Sequence, residues 1–115
     1  MIKSGRMITY TPGKTATWEE SIRAQALKHK PDTPFDCPLR LKLIFQLPRP
    51  KSRSKKELYP DRRPDLDNYI KSLKDALNGI IWTDDARIVE INARKEYGEL
   101  IGVWVEIEVI NMPSL

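Results

Sequence analysis

Two short acidic motifs carry the chemistry this chain can do. Asp65-Leu66-Asp67-Asn68 sets two carboxylates two residues apart, and Thr83-Asp84-Asp85 sets two side by side. Hard divalent cations take oxygen ligands; Mg²⁺ is usually held by one or two carboxylates together with water and substrate phosphate oxygens. Two carboxylates from one helical turn and one or two from a separate loop can converge on such an ion. Lys71 follows Asp67 by four residues, so the two share a face if the segment is helical. A lysine there can hold a scissile phosphate beside the metal, which lowers the pKa of an attacking water. Each residue also has a plainer reading. Asp65 is a helix cap, Asp67 a first-turn acid, Asp84 and Asp85 turn residues. The Asp67/Lys71 pair is then a solvated ion pair contributing about 0.3 kcal/mol. Spacing alone does not bring Asp85 back to Asp65 and Asp67. The expectation is that it approaches across a short loop, with the carboxyl groups roughly 4–7 Å apart around one ion. The chain has one histidine, His29, and one cysteine, Cys37. That excludes a site needing two histidines within one chain and argues against structural zinc and against a covalent hydrolase built on a Ser-His or Cys-His pair.

Directly upstream lies a basic stretch. Arg49, Lys51, Arg53, Lys55, Lys56, Arg62 and Arg63 fall within 48–64 among four prolines. Backbone phosphates attract such groups without regard to sequence, so a polyanion gripped here would be delivered to the carboxylates just beyond. The alternative is a solvated linker. Charge is unevenly spread: residues 1–48 are net +4, 49–63 net +5 and 64–115 net −5. A basic first half of this kind suggests a polyanionic partner.

The elements that must position these residues can be read from periodicity. At 115 residues the chain is expected to be one domain, 1–115, with a flexible basic loop at 48–64. Residues 1–14 read as an irregular arm, and Tyr10-Thr11-Pro12-Gly13 as a turn. Thr17-Trp18-Glu19-Glu20 is a capping box opening a helix over 17–29, with Trp18, Ile22 and Ala26 on one face and Ala24 and Leu27 alongside. Leu39, Leu41, Leu43, Phe45 and Leu47 alternate with other residues and predict a half-buried strand. Leu66, Ile70, Leu73 and Leu77 predict a helix over 65–79, started by Pro64-Asp65 and stopped by Gly79. After Ile80-Ile81-Trp82 and the acidic turn, Val89, Ile91 and Ala93 and then Ile101 to Val109 alternate as two strands, joined as a hairpin at Tyr97-Gly98-Glu99-Leu100. The expected class is α+β: a small, mixed, largely antiparallel sheet packed with two helices. No apolar run is long enough to span a membrane, and the first residues lack the apolar stretch of a secretory signal. With a lone cysteine, this suits a reducing cytoplasm.

The stretch Arg62-Arg63-Pro64-Asp65-Leu66-Asp67-Asn68, through Lys71 and Asp75-Ala76-Leu77-Asn78-Gly79, resembles the RusA family of Holliday junction resolvases. The likeness continues through Trp82-Thr83-Asp84-Asp85-Ala86 and Val89 to Lys95. Tyr10-Thr11-Pro12 through Trp18-Glu19-Glu20 looks like the family's lead-in and first helix. The resemblance implies a homodimeric, Mg²⁺-dependent crossover junction endodeoxyribonuclease, with Mn²⁺ as an alternative ion. It implies four-way DNA junctions as substrate and paired symmetric nicks, and neither a membrane nor a small-molecule cofactor. By motif it makes Asp65, Asp67 and Asp85 metal ligands and catalytic residues, Lys71 the catalytic lysine, and Asp84 and Asp75 supporting residues. Family members usually begin with a strand and a basic, proline-rich segment before the region matching Gly5-Arg6. Here seven residues precede Ile8, so an N-terminally short member without that edge strand is expected. Two other classes remain open on the residues alone: a non-catalytic nucleic-acid-binding module whose acids are caps, and an interaction protein with no nucleic-acid role.

Overall fold

The computed structural model describes residues 3–10 and 17–110, with the side chains of Lys3 and Ser4 left aside. In chain order these form β1 (Lys3–Thr9), α1 (Trp18–Lys28), β2 (Leu39–Leu47), α2 (Leu66–Leu77), a 3-10 turn (Asp85–Arg87), β3 (Ile88–Tyr97) and β4 (Gly102–Val109). The four strands make one sheet in the order β1-β4-β2-β3. β4 is antiparallel to both its neighbours, and only β2 and β3 run parallel. Two helices lie against the sheet, so the expected α+β class holds.

α1 begins at the capping box. Glu20 N–H donates to Thr17 Oγ1 at 3.2 Å, and Thr17 N–H donates back to Glu20 Oε2 at 3.4 Å. Ile22 and Ala26 are buried, while Leu27 turns out half exposed and Ala24 exposed. β2 is the central strand. Leu39, Leu41, Leu43 and Phe45 are buried on its helix side, facing Leu73, Ala76 and Leu77 of α2 and Val103 and Val105 of β4 within one core. Trp82, fully buried, closes the lower end of that core beside Ile80 and Ile81. α2 ends as its sequence predicts, with Asn78 as cap and Gly79 following at φ +81°.

Two expectations are corrected. Residues 1–14 are not wholly an irregular arm: Lys3–Thr9 is a strand, paired over seven residues with β4, and it forms one edge of the sheet. Its alternation is concealed because Ile8 is its one buried apolar residue among those described. The Tyr10–Gly13 turn lies largely outside the described residues. The second correction concerns the hairpin. β3 and β4 are not neighbours; β2 lies between them. The short connection passes over the end of β2, where Gly98 N–H donates to Leu47 O at 3.1 Å. It re-enters the sheet at Gly102, whose φ is +155° and where a Cβ would come within 2.0 Å of Ile8 O. A side chain there would collide with β1, so the crossing depends on glycine.

Candidate active site

The start of α2 presents the first motif. Asp65 holds the N-cap position in an extended conformation, and its carbonyl accepts from Asn68 N–H and Tyr69 N–H. Its carboxylate makes no capping hydrogen bond. Asp65, Asp67 and Lys71 are all exposed. Among the described residues Asp67 and Lys71 have no ion-pair partner, so the plain solvated pair is not what these side chains form. The turn is held from beneath. Tyr69 packs against Phe45 (centroids 5.4 Å apart) and Trp18 (5.9 Å), and burial raises its pKa. From β3, Lys95 Nζ donates to Arg62 O at 2.9 Å and Pro64 O at 3.0 Å, pinning the chain just before Asp65. Spacing does not single out Lys95 for this; a strand lysine gives no sequence signal that it caps a loop.

The second motif divides in role. Asp84 caps the 3-10 turn: Ala86 N–H donates to its Oδ1 at 3.2 Å. Asp85 is half-buried at the start of that turn. Asp36, which no motif flagged, fastens the turn to the segment before β2. Thr83 Oγ1 donates to its Oδ1 at 2.9 Å and Arg87 Nε at 2.8 Å. These two bonds and the Arg87 charge hold the Asp36 pKa below its ordinary value. Asp75 is exposed in the third turn of α2.

The structure does not bring Asp85 to Asp65 and Asp67 within one chain, contrary to the expected 4–7 Å convergence. Lys95, near the end of β3, touches the start of α2. The end of α2 meets the run before β3, through Gly79 N–H donating to Trp82 O and Ile81 N–H to Leu77 O. α2 and β3 therefore run in opposite directions, and the two motifs sit at opposite ends of the helix. Twelve residues make α2 about 18 Å long. Among the described residues no three His, Cys, Asp or Glu side chains come together in a group that could hold a metal ion. Within one chain the donor set is a pair, Asp65 and Asp67. Its chemistry fits a hard cation: carboxylate oxygens, exposed and not committed to capping.

The basic stretch is folded rather than free. Arg53 Nη1 bonds Glu57 Oε2 at 2.5 Å and its Nη2 bonds Asp61 Oδ1 at 2.7 Å, which raises its pKa. Its side chain is 13% exposed. Arg49 donates to Glu57 O at 3.0 Å and lies over the Tyr97 ring, 5.2 Å from its centroid. These two arginines, expected to face DNA, are struts of the loop. Lys51, Lys55, Lys56, Arg62 and Arg63 are exposed. Tyr97 N–H donates to Leu58 O at 3.1 Å, docking the loop against the end of β3. The basic surface thus stands beside the Asp65 end of α2.

The family described as Endodeoxyribonuclease RusA matches residues 1–108. The uncharacterized protein YqaN of Bacillus subtilis (strain 168) is 32% identical over 120 residues, covering 96% of this chain and 84% of that one. The crossover junction endodeoxyribonuclease rusA of Lactococcus phage r1t is 33% identical over 90 residues, covering 76% of this chain and 68% of the phage protein.

Proposed function

The chain belongs to the RusA family of endodeoxyribonucleases, and from that premise we propose that it cuts four-way DNA junctions by Mg²⁺-dependent hydrolysis, as a cytoplasmic homodimer making paired symmetric nicks. The observation that carries the reading is the free carboxylate of Asp65. An aspartate at a helix N-cap normally accepts from the backbone of the first turn; this one does not. It stands beside exposed Asp67, with Lys71 one turn along and the basic loop immediately before it.

In this reading Asp65 and Asp67 hold the metal, and Mn²⁺ can replace Mg²⁺ because both accept carboxylate oxygens. When bound, the metal supplies Lewis-acid polarisation of the scissile phosphate and lowers the pKa of the attacking water. Lys71 neutralises a non-bridging phosphate oxygen. Lys51, Lys55, Lys56, Arg62 and Arg63 hold the DNA backbone on the approach to that turn. Asp85 completes the donor set from the other protomer, because the length of α2 keeps it from the Asp65 end of its own chain. A two-fold dimer then carries two such sites, as two symmetric nicks require. The test is a synthetic four-way junction labelled on each strand. Nicking in Mg²⁺, lost in EDTA and lost in Asp67→Asn with gel-shift binding retained, is the expected result. Binding without nicking in any divalent metal would leave a binding module instead.

A further inference from the structure

We propose that the cavity beside Asp65, walled in part by Tyr69 and Tyr97, receives one nucleobase of the DNA, unstacked from the strand next to the scissile phosphate. The inference rests on the proposed function in taking Asp65 and Asp67 as the place of cutting; the cavity itself follows from the loop that builds it.

The cavity lies between the loop 48–64, the ends of β2 and β3 and the first turn of α2, and its volume is about 280 Å³. Its walls include Pro48, Pro50, Pro60, Pro64, Tyr69 and Tyr97. Proline rings are short and rigid and do not swing inward to fill such a space. The loop is fastened at several points. Arg53 spans Glu57 and Asp61. Tyr97 N–H reaches Leu58 O, and Lys95 holds Arg62 O and Pro64 O. The two aromatic walls are fastened as well, Tyr69 by Phe45 and Trp18 and Tyr97 by the Arg49 guanidinium over its ring. The space is therefore preformed, and an occupant need not order it. Pro64 immediately precedes Asp65, and Tyr69 follows Asp65 by four residues. The cavity and the acidic pair thus share one helical turn.

The lining says what enters. Sites that enclose a whole drug-sized ligand run to roughly 300–1,000 Å³; this one suits a single ring system. Tyrosine rings stack on any base, because every base has a π-face. Neither phenol hydroxyl has a hydrogen-bond partner among the described residues, so both are left to meet a base edge. A phosphate finds no free charge inside. Arg53 lines the cavity, but its guanidinium is already paired with two carboxylates. Arg62 and Arg63 also line it and are exposed, which puts their charges at the mouth, where the phosphates flanking the base remain. A junction supplies such a base. Nucleotides at a crossover have disturbed stacking, and taking a base out of the stack costs least where pairing or stacking is already weakened.

The test compares the full wild-type chain with Ser52→Trp. Ser52 lines the cavity, is exposed, and its side chain makes no hydrogen bond among the described residues. An indole there fills the space without removing a contact. On an intact junction Ser52→Trp is expected to cut at least about tenfold more slowly than wild type in single turnover, the loss of one stacked base, with circular dichroism unchanged. An abasic nucleotide next to the cut should bring the two rates within about twofold, because no base then needs the cavity. A misfolded variant would stay slow on both substrates. A second measurement needs no cutting. 5-Iodouracil is placed in turn at each position flanking the crossover, the junction is bound in Ca²⁺ and irradiated, and the adducts are mapped by mass spectrometry. One position should cross-link to Tyr97 or Tyr69, and that adduct should vanish in Ser52→Trp. Equal slowing on intact and abasic junctions, or cross-links confined to residues outside the cavity, would overturn the proposal. Wild-type cutting of the intact junction by Ser52→Trp would refute the base site and spare the nuclease. A cross-link to Tyr97 or Tyr69 in a chain that never nicks would do the reverse.

Discussion

Asp65 and Asp84 occupy equivalent positions, each the residue before a helical turn, and only Asp84 caps. Its carboxylate accepts from Ala86 N–H, while that of Asp65 accepts nothing from its own turn. The structure thereby separates a structural acid from one available to a ligand, which residue type alone cannot do. Asp67→Asn is expected to abolish cleavage and leave junction binding equal or tighter, because an amide is a poor ligand for a hard cation and one negative charge beside DNA is removed. As a mere first-turn acid its loss would cost about 0.3–1 kcal/mol of stability and leave cutting untouched. Single-turnover cleavage beside a gel shift in Ca²⁺ separates the two. Asp36 gives a pH prediction. Its depressed pKa means that its hold on the turn is fully present above the ordinary aspartate value, about 3.9. That hold is lost as pH falls through the lower folded value. Amide protection of Ala86 and Arg87 should therefore persist at pH 4 in the wild-type chain and drop in Asp36→Asn at the same pH.

Elements set where those residues stand. The loop 48–64 depends on Arg53, whose two acid partners lie within it, so charge reversal there would disturb folding and binding together. Reversal at Lys51, Lys55 and Lys56 is the cleaner experiment. It should weaken junction binding and flatten the log–log salt dependence by about 0.9 for each DNA phosphate no longer neutralised. An unchanged slope would mean that DNA is gripped elsewhere. α1, β2 and α2 were legible in the sequence because each carries a full apolar period and, for the helices, a start or stop residue. β1 was not, since its pairing with β4 is tertiary and Ile8 alone among its described residues is buried. The hairpin reading failed for a related reason. Alternation marks β3 and β4 as strands but does not say that β2 will insert between them, a choice made by the α2 crossover and the passage at Gly102. The acidic motifs were legible as motifs. Their separation was not, because spacing does not say that α2 carries one motif away from the other.

At the scale of the molecule, helices cover one face of a four-stranded sheet whose two edge strands are β1 and β3. Because α2 separates the acidic motifs in one chain, the proposed site draws its acids from two. The central claim is thus that each active site takes Asp65 and Asp67 from one protomer and Asp85 from its partner. Mixing two inactive variants tests it most directly. Asp67→Asn and Asp85→Asn protomers, unfolded together and refolded at equal concentration, form mixed dimers in which one site has lost both acids and the other keeps all three. The account predicts that junction nicking returns to roughly one quarter of the wild-type rate, the share of intact sites expected for random two-fold pairing, and as single rather than paired nicks. If mass spectrometry shows the mixed dimers present and the mixture is as inactive as either variant alone, the three aspartates do not act across two chains and the account is contradicted.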